Sequence, residues 1–333
     1  SADTSGDRAK EGEVFYNSAS FKIASHIAVN AWSSATPMVS AKKAAMPGGI
    51  QTAAFTAGGN DGSTNVNSTF EYDGSGFSSG GNINTTRRGG GGAGSLTAGL
   101  IMGGYTSTVV GTTEEYNGTS WSSANSMGTG RSGTGTNGTQ TASFAFCGYN
   151  GTAQTNLVEE YDGTNWSNGN TCPTSAGERA ADGIQTAAIV FGGTTSSDPG
   201  GETANSEAYD GTNWTNISNL NTARQRLSGF GPASNAYAFG GDAPPTTTKT
   251  ENYNGTSWSE ISDMATARKE NQSGQTGSST SGVAMGGNTA PGADIDTTEE
   301  FDQSVFTKTA AAWSSGTAIN TARNSFSGFG LQT

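Results

Sequence analysis

Catalytic and metal-binding sites draw most often on histidine, cysteine and clustered carboxylates, and this chain uses the first two sparingly. His26 is the one histidine in 333 residues. Ser-His-Asp and Cys-His nucleophiles need an imidazole beside the attacking atom, and zinc sites need several His or Cys ligands. A single histidine in an N-terminal apolar stretch points to packing or surface instead. Carboxylates are commoner. Asp61 and the Asp294-x-Asp296 pair are the best placed for calcium, yet a calcium site needs six to eight converging oxygens, and no acidic pair stands out for glycosidase chemistry. The residues therefore predict no metal, no cofactor and no catalytic group.

The cysteines and arginines take their meaning from a repeat. Trp32, Phe77, Trp121, Trp166, Trp214, Trp258 and Trp313 follow one another at 45, 44, 45, 48, 44 and 55 residues. Six residues after each stands Met38, Ile83, Met127, Cys172, Leu220, Met264 or Ile319, and ten after most of them a cation: Lys42, Arg87, Arg131, Arg224, Arg268 and Arg323. In the fourth unit Arg179 is displaced by three. A Gly/Ala-rich stretch then ends in a diglycine such as Gly58-Gly59 or Gly103-Gly104, with Cys147-Gly148 in its place once. Cys147 and Cys172 thus occupy apolar packing positions and read as buried free thiols rather than a disulfide. A cation in every unit reads as structural, paired with Glu71, Glu114, Glu159, Glu207, Glu251 and Glu299, because a binding site has no need of such regularity. Tyr72, Tyr116, Tyr161, Tyr209 and Tyr253 read as core between units, as do Trp121, Trp166, Trp214 and Trp258.

Each unit reads as four short strands: a after the cation, b into the diglycine, c through the Glu-Tyr, d through the Trp. The Asx-Gly between c and d accepts the positive φ of a tight hairpin. Four-stranded units at this period are the signature of propeller blades. Leu, Ile, Val and Phe make up only about an eighth of the chain, a level that elsewhere warns of disorder; here they fall at fixed intervals, and small residues fill the gaps where blades approach. The diglycine, Glu-Tyr, Trp, apolar residue and Arg in this order resemble the kelch repeat, over residues 32–333. The chain is expected to be an all-β, seven-bladed kelch-like propeller and one domain over residues 1–333, with a polar arm over about 1–12. Strand a at Ala322-Arg323-Asn324 and three N-terminal strands would make the seventh blade, so both termini close the ring.

The net charge of −12 argues against a nucleic-acid backbone as partner, and no apolar run is long enough for a transmembrane helix. Alternating strands place the b–c loops and the d–a connections on one face. The c–d turns on the other face repeat nearly the same residues, whereas the b–c loops (60–67, 105–110, 149–155, 194–205, 242–248 and 288–297) differ from blade to blade. Variable loops on a rigid scaffold suit recognition, so Asp61, Asn65, Tyr105, Tyr149, Asn150, Asp198, Asp242 and Asp294 are the candidate binding residues. The Thr/Ser/Gly/Asn-rich units, with Gly-Thr-x-Trp-Ser and Asn-Thr-Ala-Arg, also resemble propeller repeats in virion proteins of tailed phages. That resemblance implies a non-enzymatic module of a virion or cell surface, extracellular, oligomeric or part of a larger assembly, whose partners are neighbouring virion or surface proteins or a host glycan. The other class left open is a carbohydrate-active enzyme on a propeller scaffold.

Overall fold

The computed structural model describes residues 14–17, 22–196, 200–273, 279–289 and 292–309. Residues 30–303 form one compact unit, and residues 1–29 with 304–333 a second, in which Val14–Asn17 pairs antiparallel with the start of Lys22–Ala35. No helix among the described residues is long and apolar enough to cross a membrane.

The large unit is a β-propeller. Its first blade runs a (Met46–Ile50), b (Ala53–Ala57), c (Thr69–Tyr72) and d (Phe77–Ser79), each strand antiparallel to the next. Blades 2 to 5 repeat this order, beginning with strands a at Gly91–Ser95, Gly135–Thr139, Ala180–Ile184 and Ser228–Phe230. Strands a crowd the axis, which is why Gly, Ala, Ser and Thr predominate in them. A methyl group on Gly92 would press into the Pro47 carbonyl of the blade before it, and the Thr136 hydroxyl of the blade after it donates to the Gly92 carbonyl at 2.8 Å.

The ring has six blades, not the seven expected from the sequence. In the sixth, a (Gln272–Ser273), b (Ser281–Met285) and c (Thr298–Thr309) are completed by the N-terminal Lys22–Ala35 as strand d. Trp32 is therefore the sixth blade's tryptophan, and it packs on Phe230, Phe239 and Phe301. The 55-residue gap before Trp313, longer than every other, was the signal that the count ended there. Trp313 and the proposed strand around Arg323 lie outside the described residues.

The bonds between blades repeat around the ring, and the same bonds cross from the sixth blade to the first. Tyr116, Tyr161 and Tyr209 donate to Glu71, Glu115 and Glu160 of the preceding blade; Tyr72 donates to Glu300. Gln140 and Gln185 each donate to two carbonyls of the preceding blade; Gln51 donates to the Phe301 carbonyl at 3.2 Å. The indoles of Trp121, Trp166 and Trp32 donate to Thr69, Thr113 and Thr250 of the preceding blade. The first blade carries Phe77, which has no N–H to give, and the corresponding Thr298 Oγ1 of the sixth blade is buried without a partner.

Candidate functional site

Arg87, Arg131, Arg179, Arg224 and Arg268 are buried, and each pairs with a buried Glu of strand c in its own blade: Glu114, Glu159, Glu207, Glu251 and Glu299. Burial lowers the pKa of Arg87, Arg131, Arg224 and Arg268, and the facing glutamate opposes it. The guanidinium also binds the carbonyls that end strand b and open strand c, as Arg131 does with Cys147 and Leu157 at 3.2 and 2.7 Å. Arg179 starts three residues later and reaches the equivalent carbonyls, Gly192 and Asn205. The first blade departs. Its residue at the Glu position is Phe70, so Lys42 does not meet Glu71 as expected. The Lys42 ammonium lies 4.1 Å from the Phe70 ring centroid and donates to the Thr56 and Ser68 carbonyls at 3.0 and 3.2 Å.

Two residues past that cation position the chain turns in at the axis. Ala44, Gly89, Gly133, Glu178, Arg226 and Glu270 all have φ between 50° and 63°. The backbone N–H of each donates to the carbonyl of the one in the blade before it, at 2.7 to 3.0 Å, and Ala44 donates to Glu270. Six backbone hydrogen bonds thus form a closed annulus. It frames the mouth of a cavity of about 450 Å³ lined by Lys43, Arg88, Tyr105, Glu178, Arg226 and Glu270, among others. The annulus is sixfold in backbone and lopsided in side chains. Blades 1 to 3 contribute Ala, Gly and Gly; blades 4 to 6 contribute Glu, Arg and Glu, with Arg226 Nε 3.4 Å from the Glu270 carboxylate.

Around this mouth lie the b–c loops, whose first residues bridge to the residue beside the annulus: Asn60 to Lys43, Tyr105 to Arg88, Tyr149 to Ser132 and Asp242 to Gln225. Among the residues expected to bind, Asn65 and Tyr105 come together. The Asn65 amide donates to the Tyr105 and Thr106 carbonyls at 3.0 and 3.1 Å. With Arg88, Ser63, Thr64 and Ser107 they line a shallow groove of about 530 Å³ between the first two loops. Tyr105 is 37% exposed, and Arg88 lies 5.6 Å from its ring centroid. Tyr149 is also exposed, at 40%, but lines neither cavity.

The remaining candidates bond within the protein. Asp61 and Asn150 accept the backbone N–H groups of their own turns, and those bonds hold the Asp61 carboxyl below its usual range. Asp242 pairs with Lys269 at 2.6 Å and Asp294 with Lys43 at 3.1 Å, bracing each loop to the next blade. Asp198 lies outside the described residues. No group of three or more His, Cys, Asp or Glu side chains suited to a metal is found among the described residues. The charged mouth residues were not singled out from the sequence, although the signal is there: the position two past the cation changes from Gly to Glu to Arg while its surroundings repeat.

On the opposite face the c–d turns are alike. Asp73, Asn117, Asp162, Asp210 and Asn254 each accept two backbone N–H groups of their turn. In each, the Oδ1 atom is committed to the turn.

The fold and mouth define a six-bladed β-propeller with one differentiated face. Among solved structures it is similar to YjhT, with a TM-score of 0.66 and 13% identity over 82% of this chain and 99% of that one. That likeness is one of fold. No protein-family model matches the chain, and no curated protein matches it either.

Proposed function

We propose that this propeller is a binding module that engages its partner through the face bearing the channel mouth and the b–c loops. One observation carries the reading. Glu178, Arg226 and Glu270 hold long charged side chains at φ of 56°, 55° and 53°, a conformation that disfavours bulky residues. The same annulus accepts glycine at Gly89 and Gly133, so its backbone conformation does not call for a long charged side chain. Strain kept at positions where the scaffold could be rid of it marks a functional site.

Arg88 supports the same face. It makes no salt bridge among the described residues, in contrast with Lys43 and Lys269 beside their own annulus positions. A cation stacked near an exposed tyrosine and ringed by hydroxyls and amides suits a polar, hydrogen-bonding partner. The resemblance of the units to kelch repeats and to propellers of tailed-phage virions favours a module of a particle or cell surface that contacts a neighbouring protein or a host glycan. A second reading, carbohydrate-active enzyme, is favoured by Glu178 and Glu270, two carboxylates at the mouth of one cavity.

The test compares two variant sets on glycan arrays and in sedimentation. Arg88→Ala with Tyr105→Ala is expected to weaken binding or self-association at least about tenfold, as loss of a tyrosine and an arginine anchor does. Thr119→Lys, Thr164→Lys and Thr212→Lys on the turn face should leave it unchanged. The reverse pattern would overturn the proposal, and turnover of an arrayed glycan would favour the enzyme.

A further inference from the structure

The pattern breaks at three linked positions, two in the third blade and one at the start of the fourth. The residue that ends strand b is glycine in the other five blades, at Gly58, Gly103, Gly192, Gly240 and Gly286, but here it is Cys147 at φ 56°. The apolar residue after strand d is Ile83, Met127, Leu220, Met264 or Met38 elsewhere, and Cys172 here. The cation just beyond comes from Arg179, with buried Ala176 in the usual place. These departures are coupled by space. A Cβ on Gly103 would meet the Met127 methyl at 2.9 Å, and one on Gly240 the Met264 methyl at 3.1 Å. A side chain at 147 therefore needs a short one at 172. Alanine would satisfy that need, and the chain supplies a second sulfur.

The two cysteines therefore occupy adjoining positions. Both are buried in one cluster with Phe144, Phe146, Val158 and Tyr209. Cys147 Sγ lies 3.4 Å from the Thr174 carbonyl, and the Arg179 guanidinium donates to Cys172 Sγ at 3.4 Å. Burial raises the Cys147 thiol, but the neighbouring Cys172 thiol and the Arg179 charge outweigh it and bring it below the usual range; the Cys172 thiol is pushed up. Cys147 is thus the sulfur that more readily becomes thiolate, the reactive form. Both side chains are buried, yet Cys172 sits in a stretch without regular structure between exposed Thr171 and Pro173, a short route for a small oxidant.

We propose that Cys147 and Cys172 are a redox-active dithiol, a modification site that closes to an intramolecular disulfide in the presence of hydrogen peroxide. The Cys147 sulfur attacks one peroxide oxygen, the O–O bond breaks, and a sulfenic acid and one water form. The Cys172 sulfur then attacks the Cys147 sulfur, and the sulfenic hydroxyl leaves with the Cys172 proton as a second water. Two thiols and one peroxide give one disulfide and two waters. The bridge ties the end of strand b to the d–a connection and encloses residues 148–171, which hold strands c and d of that blade.

The experiment treats the native protein with hydrogen peroxide, removes the peroxide with catalase, then alkylates in denaturant and weighs the intact chain. The expected product is lighter by about 2 Da, takes no alkyl group, reverts with dithiothreitol and melts several degrees higher than the reduced form. Cys172→Ser, similarly treated, is expected to hold a dimedone-reactive sulfenic acid at Cys147. The proposal is overturned if the treated native chain still alkylates at both cysteines, gains oxygen instead of losing hydrogen, or links to a second chain.

Discussion

Two positions only two residues apart show how this chain separates scaffold from site. At the first, Arg87, Arg131, Arg224 and Arg268 are buried and bound to glutamates within their own blades. At the second, one backbone conformation recurs six times while the side chain runs through Ala44, Gly89, Gly133, Glu178, Arg226 and Glu270. Constancy of side chain marks what each blade needs in order to pack. Constancy of backbone with divergence of side chain marks what the ring can vary without unfolding.

The largest effect should come from opening the ring. Removing residues 1–35 takes away strand d of the sixth blade and exposes strand c as an unpaired edge, a template for aggregation. The product is expected to aggregate or melt far below the parent. Trp32→Ala, which keeps the strand but loses three aromatic neighbours, should cost about 3 kcal/mol in denaturant unfolding, at the low end for a core tryptophan because Trp32 is only partly buried. A parent-like midpoint in both would break the six-blade closure. Next comes Arg268→Ala. It strands buried Glu299, so stability should fall by about 3–5 kcal/mol, where an exposed ion pair such as Lys249–Glu260 is worth at most about 1.

The blades were legible because a propeller writes its constraints into every repeat. Tight c–d hairpins require Asx-Gly, crowded inner strands require small residues, and buried cations require acids in register. The closure was harder to read. A strand d supplied from the N-terminus looks in sequence like the start of one more unit, and the spacing of Trp313 counted against that reading only weakly. The Lys42 environment was hidden for another reason. Glu71 lies one residue past the buried position and on the other side of the strand, where it accepts from Tyr116; a one-residue difference in a strand reverses which face a side chain occupies. The mouth left one trace, a position that changes while its surroundings repeat, but the shared positive φ that brings those residues to the axis is not written in side-chain type.

The third blade tests whether departures from the repeat compensate one another. Cys172→Met restores the side chain of three other blades but places it against the Cys147 Cβ. It should cost about 1–3 kcal/mol, as overpacking does. Cys147→Gly with Cys172→Met restores both partners and should recover most of that loss. Additive costs, read from a double-mutant cycle in urea, would show that the two positions do not share one space.

Lys42 makes a smaller difference, visible through pH. Burial lowers its pKa from 10.5 in the unfolded chain to about 7 in the ring. Below pH 7 both states hold the proton and the cost of burying the charge is present in full. Between 7 and 10.5 the unfolded chain keeps a proton that the folded chain has lost, so stability climbs with pH at up to about 1.4 kcal/mol per unit. Above 10.5 the contribution levels off. Lys42→Met removes the titration, so the parent should gain stability relative to the variant from pH 7 to pH 10. A constant difference would mean that Lys42 stays charged against Phe70 and the two carbonyls.

The smallest effect on stability should come from the annulus itself, and it bears most directly on function. Glycine at 178, 226 and 270 would reproduce what blades 2 and 3 already carry. Each substitution relieves a residue held at positive φ, a gain of about 1 kcal/mol. Each also loosens the unfolded chain by a similar amount, and Arg226→Gly gives up an ion pair that is partly exposed and worth little. The net change per site is expected to stay within about 0.5 kcal/mol, with the six backbone hydrogen bonds intact because they use no side-chain atoms. Partner binding or self-association by the triple variant should nevertheless be lost. If the triple variant unfolds several kcal/mol more easily, the charges belong with the buried arginines as scaffold. If it folds and binds like the parent, the mouth is a by-product of ring geometry and the site lies out along the loops.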